Sequence, residues 1–450
     1  CVIRETETIV SGCDVAQPGA PAQQLLQING TALASNLLPR GPVYTIALGE
    51  AGVARSAQLL EEITQETAGR ASYPNNGIAM DTSFVDSLVD HLKGGTVTLV
   101  DRHAGSLPSG SSSAPLPFPL DRSLTRVVFV LSWEGAERTG RLELIGPRGA
   151  VVTPRTTSTG ANFLVAMADI PGSGSAGTWR AVVSARGQDP LVYQLSAYGV
   201  ESRLSAHVTE TAQLGTGAPI EITADIGWNN GVLAKLPPGA VKAYIQRPGE
   251  DIGTLLHAAD MPRQTVSRNK DLSPLALKLD YLAREAKLWD RIAPRPIGTV
   301  IELKHVGRGR YRGVFNDASV GGRYRIVVVF DWKDRRTGAL RRMYAAERQV
   351  SVMPGDAETQ VKVMRNPDTR GIDILIVPRD RFGNYVGPGF GSDFRIKADR
   401  GEISRVGADP QLKGEYVFTL RGVKIEDDPV VAIYFRGTLL REGPLSKIGG

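Results

Sequence analysis

The chain has 450 residues, a formal net charge of +6, and a composition rich in Gly (50) and Pro (28) but poor in aromatic residues (6%). This length exceeds what one hydrophobic core usually supports, so three or four domains are expected. The Gly and Pro content favours short strands and tight turns over long helices. No apolar run reaches the roughly 18 residues that a membrane-spanning helix needs.

The two cysteines, Cys1 and Cys13, both lie in the first thirteen residues. They are too few to staple a fold, and no Cys/His spacing typical of a zinc site follows them. Three interpretations stay open: a small-loop disulfide, a lipid-modified Cys1 at the start of a mature lipoprotein, and a fragment boundary at residue 1.

The first hundred residues predict one α/β unit. Apolar residues near helical spacing indicate a helix over 21–38, although Gly30 weakens this prediction. The apolar run over 43–48 is typical of a strand buried on both faces of a parallel sheet. A second helix is predicted over 56–68, where the apolar side chains share one face.

This unit resembles the end of a von Willebrand factor type A domain. The string PVYTIALGEAG, followed by SAQLLEEITQETAGRASYP, is similar to the last strand and helix of such domains, and residues 81–93 are similar to their short final helix. Residues 1–103 are therefore expected to form a partial domain of this type. The Asp-x-Ser-x-Ser loop that holds a metal in this family is absent from the chain. The resemblance therefore implies no cofactor here and a divalent metal only in an upstream half.

Three β-sandwiches are expected after this unit. Residues 104–120 (AGSLPSGSSSAPLPFPL) are rich in Ser, Pro and Gly and predict a linker. Alternating strands then predict a sandwich over 121–204, with Trp133 and Trp179 in its core. Its LxLxGPxG and GTW segments resemble jelly-roll or prepeptidase C-terminal accessory sandwiches.

The remaining two sandwiches are expected to be Ig-like. The first covers 205–355 and is interrupted by a helical insert over 271–293, which has Pro274 in its first turn and one apolar stripe. The second covers 356–450, where GIDILIVPRDRFGNYVGPGF is similar to bacterial Ig-like repeats of the invasin and filamin type. This order of domains resembles large bacterial surface proteins and, more distantly, the calcium-activated chloride channel regulator architecture.

A Gly-x-aromatic motif recurs in these domains before alternating strands, at 177–179, 309–311, 322–324 and 414–416. Such a recurrence is typical of sandwich strands with an aromatic corner.

Signals for catalysis are weak, so an enzyme is not expected. The five histidines are scattered without an HExxH motif, no Gly-x-Ser-x-Gly elbow lies between a strand and a helix, and no P-loop occurs. Asp380 and Asn384 flank a turn and are the best candidates for calcium binding. The alternative is that their side chains hold the turn itself.

The positive charge is concentrated in residues 301–350, which contain twelve Lys or Arg against five Asp or Glu. Arginines alternate with apolar residues in GRGRYRGVF and GGRYRIVVVF, which predicts a continuous basic face on a sheet. The candidate polyanion-binding residues are Arg308, Arg310, Arg312, Arg323, Arg325, Lys333, Arg335, Arg336, Arg341 and Arg342. Contact with an anionic surface and simple solvation both explain this pattern. Nucleic acid is not expected, because no nucleic-acid-binding motif accompanies the charge.

The fold class predicted from the sequence is multidomain and mainly β, with a partial von Willebrand A-type unit followed by three antiparallel sandwiches. The functional expectation is a non-enzymatic binding or adhesion protein that is secreted, periplasmic or at the cell surface, with a protein or polysaccharide partner. Two alternatives stay open: an accessory region of a surface hydrolase whose catalytic part lies elsewhere, and a structural subunit of an envelope assembly.

Overall fold

The structure, a computed structural model, describes residues 97–134, 140–170, 176–200, 204–210, 214–228, 235–260, 274–334, 338–366 and 371–449, with short stretches before residue 97. In these residues the protein is mainly β, and its larger sheets pack in pairs around three separate hydrophobic cores. The mainly β, multi-sandwich part of the predicted fold class is therefore confirmed.

Before residue 97, the structure describes short elements. Their bounds are β1 Val2–Ile3, β2 Ile9–Ser11, β3 Gln27–Ile28, β4 Thr31–Ala32, β5 Tyr44–Ile46 and β6 Arg70–Ser72. β1 pairs with β2 and β3 with β4 in antiparallel fashion, whereas β5 and β6 are parallel. A parallel pair needs a crossover connection, and Thr64 within this connection is helical.

The predicted helix over 21–38 is wrong, because β3 and β4 form a hairpin within it. Gln27 pairs with Ala32 on either side of Asn29 and Gly30, a dipeptide that favours hairpin turns. Most of the predicted von Willebrand A-type unit, including Cys1 and Cys13, lies outside the described residues and stays a prediction.

Residues 97–200 form the first sandwich. Its strands are β7 Val97–Leu107, β8 Leu116–Leu120, β9 Arg126–Trp133, β10 Gly140–Ile145, β11 Val151–Val152, β12 Thr156–Thr159, β13 Phe163–Asp169, β14 Gly177–Ala185 and β15 Leu191–Val200. The sheet orders are β11-β10-β14-β8 and β12-β13-β9-β15-β7. Trp133 and Trp179 are buried between the two sheets.

The predicted linker over 104–120 is wrong for most of its length. β7 continues through its first four positions in pairing with β15, and β8 pairs with β14. Leu107, Phe118 and Leu120 are buried. The two prolines of β8 are tolerated because β8 is an edge strand, where a missing N–H breaks no ladder. The Ser/Pro/Gly composition thus obscured the alternation of buried and exposed residues that is typical of strands.

Residues 204–351 form the second sandwich. Its strands are β16 Leu204–Glu210, β17 Leu214–Gly215, β18 Ile220–Trp228, β19 Val241–Pro248, β20 Pro294–Glu302, β21 Lys304–Gly307, β22 Arg310–Phe315, β23 Gly322–Asp334 and β24 Gly338–Ser351. One sheet has the order β16-β18-β22-β21 and the other β17-β24-β23-β19-β20. β24 has 14 residues and contacts β7 and β8 of the first sandwich.

A helical insert lies between β19 and β20. It contains α1 Ile252–Ala258, α2 Pro274–Glu285 and α3 Leu288–Ile292. The last two helices occupy most of the predicted insert over 271–293, and the break between them falls at Lys287, which has a φ of 48°. Leu279 and Leu282 of α2 pack with Leu255 of α1, a helix that the sequence did not predict.

Residues 360–444 form the third sandwich. Its strands are β25 Gln360–Asn366, β26 Gly371–Val377, β27 Phe394–Ala398, β28 Glu402–Ala408, β29 Tyr416–Arg421, β30 Val430–Phe435 and β31 Thr438–Pro444, followed by helix α4 Leu445–Ile448. The sheet orders are β25-β26-β29-β28 and β27-β30-β31.

The four Gly-x-aromatic motifs share one geometry. Each glycine has a φ between 70° and 144°, a region that L side chains rarely adopt. Each aromatic residue is buried, namely Trp179, Tyr311, Tyr324 and Tyr416. The Tyr416 hydroxyl accepts a hydrogen bond from the backbone N–H of Phe390 at 3.0 Å. The motif therefore fixes the strand entry and anchors a core side chain.

Candidate binding surface and sandwich junctions

The predicted continuous basic face does not form, because its two strands belong to different sheets. β22 carries Arg310 and Arg312 in the four-stranded sheet, whereas β23 carries Arg323 and Arg325 in the five-stranded sheet. Alternation along a strand predicts which side chains point outward but not which sheet the strand joins. Arg335 and Arg336 lie outside the described residues.

The basic residues of β23 and β24 are mostly withdrawn from solvent. Arg323 is buried, Arg325 is half-buried and Lys333 is exposed. Arg341 lies 3.0 Å from a carboxylate oxygen of Asp101 and 3.1 Å from one of Asp331. These residues therefore lie mostly in the protein interior or between the first and second sandwiches, and they form no open surface.

Four exposed cations lie together on the hairpin formed by β21 and β22. Lys304, Arg308, Arg310 and Arg312 are all exposed there, and we call these four residues the basic hairpin. Arg310 donates from Nε and Nη2 to the two carboxylate oxygens of Asp225, at 2.8 and 3.3 Å.

The first and second sandwiches meet at a buried ion pair. Nη1 of Arg342 on β24 donates to Oδ2 of Asp121 at 2.7 Å, and both side chains are at most 1% exposed. Nη2 of Arg342 also donates to the hydroxyl of Ser123 at 3.2 Å. Asp121 uses its other oxygen to accept from the backbone N–H of Ser123 at 2.8 Å. Arg342 was predicted to lie on the basic face, and its burial here corrects that expectation.

The first sandwich also binds the region before it. Asp86, in a helical stretch, accepts from Nη2 of Arg102 at 2.7 Å and from the Tyr198 hydroxyl at 2.8 Å. Burial and the Asp86 carboxylate raise the pKa of Tyr198. The helical stretch that contains Asp86 is thus hydrogen-bonded to the first sandwich.

The second and third sandwiches meet at the turn that contains Asp380. Oδ1 of Asp380 accepts from the backbone N–H groups of Phe382 and Asn384, both at 2.9 Å, and Oδ2 accepts from Nδ2 of Asn384 at 2.7 Å. These bonds hold the turn, as the alternative to calcium binding predicted. Nδ2 of Asn384 also donates to the carbonyl of Ser319 in the second sandwich, at 2.8 Å.

The backbones of the two sandwiches come very close beside this turn. A Cβ at Gly253 of α1 would lie 2.0 Å from the carbonyl oxygen of Tyr385, so only glycine fits. The Tyr385 ring stacks on His257 of α1 with centroids 3.9 Å apart.

Lys278 joins the helical insert to the third sandwich. Its side chain is fully buried, and its Nζ donates to the carbonyls of Leu256 at 2.8 Å and Leu412 at 2.9 Å. Burial lowers the pKa of Lys278 to about 8. The hydrogen bonds from the Lys278 ammonium group to these backbone carbonyls therefore hold the helical insert against the third sandwich.

A small cleft at the second junction contains a buried acid. It has a volume of about 40 Å³ and is lined by Asp251, Leu256, Val352, Phe390 and Arg436, among others. The Asp251 carboxylate caps α1 by accepting from the backbone N–H of Thr254 at 2.7 Å. Burial raises the pKa of Asp251 to about 7, and the nearby Asp380 adds to this shift.

Within the described ranges, no group of three or more His, Cys, Asp or Glu side chains is placed to hold a metal ion. The helices of the described part are all too short or too polar to cross a bilayer. His103, His257 and His305 each contact an aromatic ring.

The sequence patterns did not predict the residues that hold neighbouring sandwiches together. Asp121 and Arg342 are 221 residues apart, so no local pattern links them. One signal was present: Arg342 stands in phase with the buried Leu340, at an inward position of an alternating strand.

No protein-family model matches this chain, and no curated protein sequence matches it. Among solved structures, it is similar to a DUF4785 family protein from Legionella pneumophila, with 9% identity, a TM-score of 0.35 and coverage of 79% of this chain and 91% of that chain. It is also similar to the Escherichia coli adhesin FdeC, with 14% identity, a TM-score of 0.29 and coverage of 76% and 98%. For invasin, a bacterial integrin-binding protein, the identity is 11%, the TM-score 0.28 and the coverage 77% and 60%. All three TM-scores lie below 0.5.

Proposed function

We propose that this chain is a non-enzymatic binding or adhesion protein, secreted or at a cell surface, in which the three sandwiches form a stiff arm. The observation that carries the proposal is the use of β24 at both junctions. Arg342, near the start of β24, is paired with Asp121 of the first sandwich, whereas residues 349–351 at its end line the cleft against the third. Since a strand rises about 3.3 Å per residue, the stretch from Arg342 to Ser351 separates the two neighbours by about 30 Å.

The chemistry of the junctions supports an arm rather than a set of loosely linked domains. Domains joined by small interfaces normally move relative to one another. Here a buried ion pair fixes the first junction, and a close backbone contact at Gly253 fixes the second. The arm therefore suits the display of a binding surface at a fixed distance and orientation.

The proposal includes a von Willebrand A-type module at the front of the arm. The parallel pairing of β5 with β6 supports an α/β unit there, and β6 contacts β24. The hydrogen bond from Arg102 to Asp86 supports a fixed position for this unit on the first sandwich.

Small-angle X-ray scattering of the full chain tests the arm. Gly253→Ala should force the second junction open, because its new Cβ would meet the Tyr385 carbonyl oxygen at 2.0 Å. Gly146→Ala is the matched control, since its nearest neighbour would lie at 3.4 Å. The parent and the control should give the same narrow distribution of maximum dimensions, and Gly253→Ala a broader one. A parent profile as broad as that of Gly253→Ala would refute the stiff arm.

Bead retention tests the binding role. Beads coated with the full chain should be held on epithelial cell layers or polysaccharide-coated slides more strongly than albumin-coated beads. Retention equal to albumin on both surfaces, or turnover of ester or glycoside substrates by the chain alone, would contradict a non-enzymatic binding protein.

A further inference from the structure

The basic hairpin carries three cations that have no carboxylate partner within the described residues. Arg310 is neutralised by Asp225, but Lys304, Arg308 and Arg312 make no ion pair in the described part of the chain. Arg308 occupies the tip between β21 and β22 with a φ of 48°, flanked by two glycines. The hairpin therefore presents its charge to solvent.

Two of these cations face each other directly. Lys304 on β21 is the register partner of Arg312 on β22. Side chains at such positions have Cβ atoms about 5 Å apart, and like charges there destabilise the pair. Arg310 follows on the same face, about 7 Å along the strand. Arg310 is neutralised by Asp225, so the cost in stability falls on the opposed Lys304 and Arg312, and a bound anion would remove it.

We propose that the basic hairpin binds an anionic polysaccharide. This inference builds on the proposed binding role and names the chemical class of the partner. Guanidinium groups bind sulfate and carboxylate groups through paired hydrogen bonds, and a row of separate cations matches anions repeated along a sugar chain.

The side chains around the row favour a polysaccharide over other polyanions. Tyr311 and Phe315, the aromatic residues of β22, are buried, and the imidazole of His305 on β21 lies against Tyr311, with ring centroids 5.1 Å apart. The described residues of the hairpin therefore offer no exposed Phe, Tyr or Trp ring on which a nucleic-acid base could stack. Its exposed apolar residues are Val306 and Val314, whereas interfacial anchors in membranes are usually Trp, Phe or Leu.

Binding of the full chain to immobilised heparin and dextran sulfate tests this site. The variant Lys304→Ala/Arg308→Ala/Arg312→Ala should lose about tenfold or more in affinity at low salt, because such binding rests on counterion release. The matched control is Arg141→Ala/Arg148→Ala/Arg180→Ala, which removes three exposed arginines from the first sandwich. This control should bind like the parent. Parent affinity should also fall steeply as salt rises.

Three outcomes would overturn the proposal. The first is equal binding by the hairpin variant and the parent, and the second is an equal loss in the control. The third is binding to phosphatidylserine vesicles but not to either polysaccharide, which would assign the hairpin to a membrane. Thermal unfolding checks the fold, since removal of opposed like charges should not lower the midpoint. None of these outcomes changes the scattering result, so failure of this site and failure of the stiff arm are distinguishable.

Discussion

The two junctions of the arm bury charge in different ways. At the first, Arg342 meets the opposite charge of Asp121 at 2.7 Å. At the second, Lys278 is held by neutral carbonyls and Asp251 by the N–H and hydroxyl of Thr254. Burial shifts the pKa of a charged group toward its neutral form, as it does for Asp251 and Lys278. The second junction should therefore respond to pH.

The largest effect should come from breaking the first junction. Asp121→Ala leaves the Arg342 guanidinium buried without its carboxylate, which should lower the free energy of unfolding by about 3–5 kcal/mol. Urea unfolding of the full chain measures this change. Asp169→Ala is the control, because it removes only the exposed ion pairs with Arg126 and Arg155 and should change the stability far less. Equal losses for the two variants would show that the buried pair does not hold the junction.

A hydrophobic replacement sharpens the same test. Asp121→Leu combined with Arg342→Met removes both charges, so the stability should recover much of what Asp121→Ala loses. A double variant as unstable as Asp121→Ala would mean that packing, not the lone charge, causes the loss.

The second largest effect should be the pH dependence of stability that Asp251 causes at the second junction. Its pKa in the folded protein is about 7, above the ordinary value of 3.8. The folded protein therefore keeps a proton that the unfolded chain releases, so stability is highest below pH 4 for this group and is lost as the pH rises to about 7. Across this window the loss should be about 2–4 kcal/mol.

Asp251→Asn isolates this contribution. The amide oxygen can still cap α1, but the side chain no longer titrates. Urea midpoints between pH 4 and 8 should fall less for the variant than for the parent, and the variant should be the more stable protein at pH 8. Parallel profiles for the two proteins would rule out Asp251 as the source.

Local patterns predicted the parts of this molecule that local forces determine. Alternation gave the core tryptophans Trp133 and Trp179, and Pro274 marked the start of α2. Alternation failed at the basic face, because it does not specify which sheet a strand joins. The prediction of a helix over 21–38 was wrong because it gave more weight to the apolar spacing than to Asn29 and Gly30, a dipeptide that favours hairpin turns.

The junctions could not be predicted because they depend on contacts between distant segments. Asp380 and Asn384 were singled out from their turn, and their hydrogen bonds within it follow from sequence. The bond from Asn384 to Ser319 does not, since it depends on how the second and third sandwiches pack against each other. Lys278 likewise stands within a helical stripe, and its carbonyl partners in another domain leave no local signal.

The smallest effect should come from Lys278, in the opposite direction from that of Asp251. Its folded pKa of about 8 lies below the ordinary value of 10.5. Between these values the unfolded chain binds more protons, so stability should rise as the pH increases from 8 to about 10. Lys278→Met should remove this rise, which amounts to about 1–3 kcal/mol. Lys242→Met, at an exposed position on β19, is the control. If Lys278→Met and the parent gained equally over this range, the buried ammonium group would not be what makes the second junction sensitive to alkaline pH.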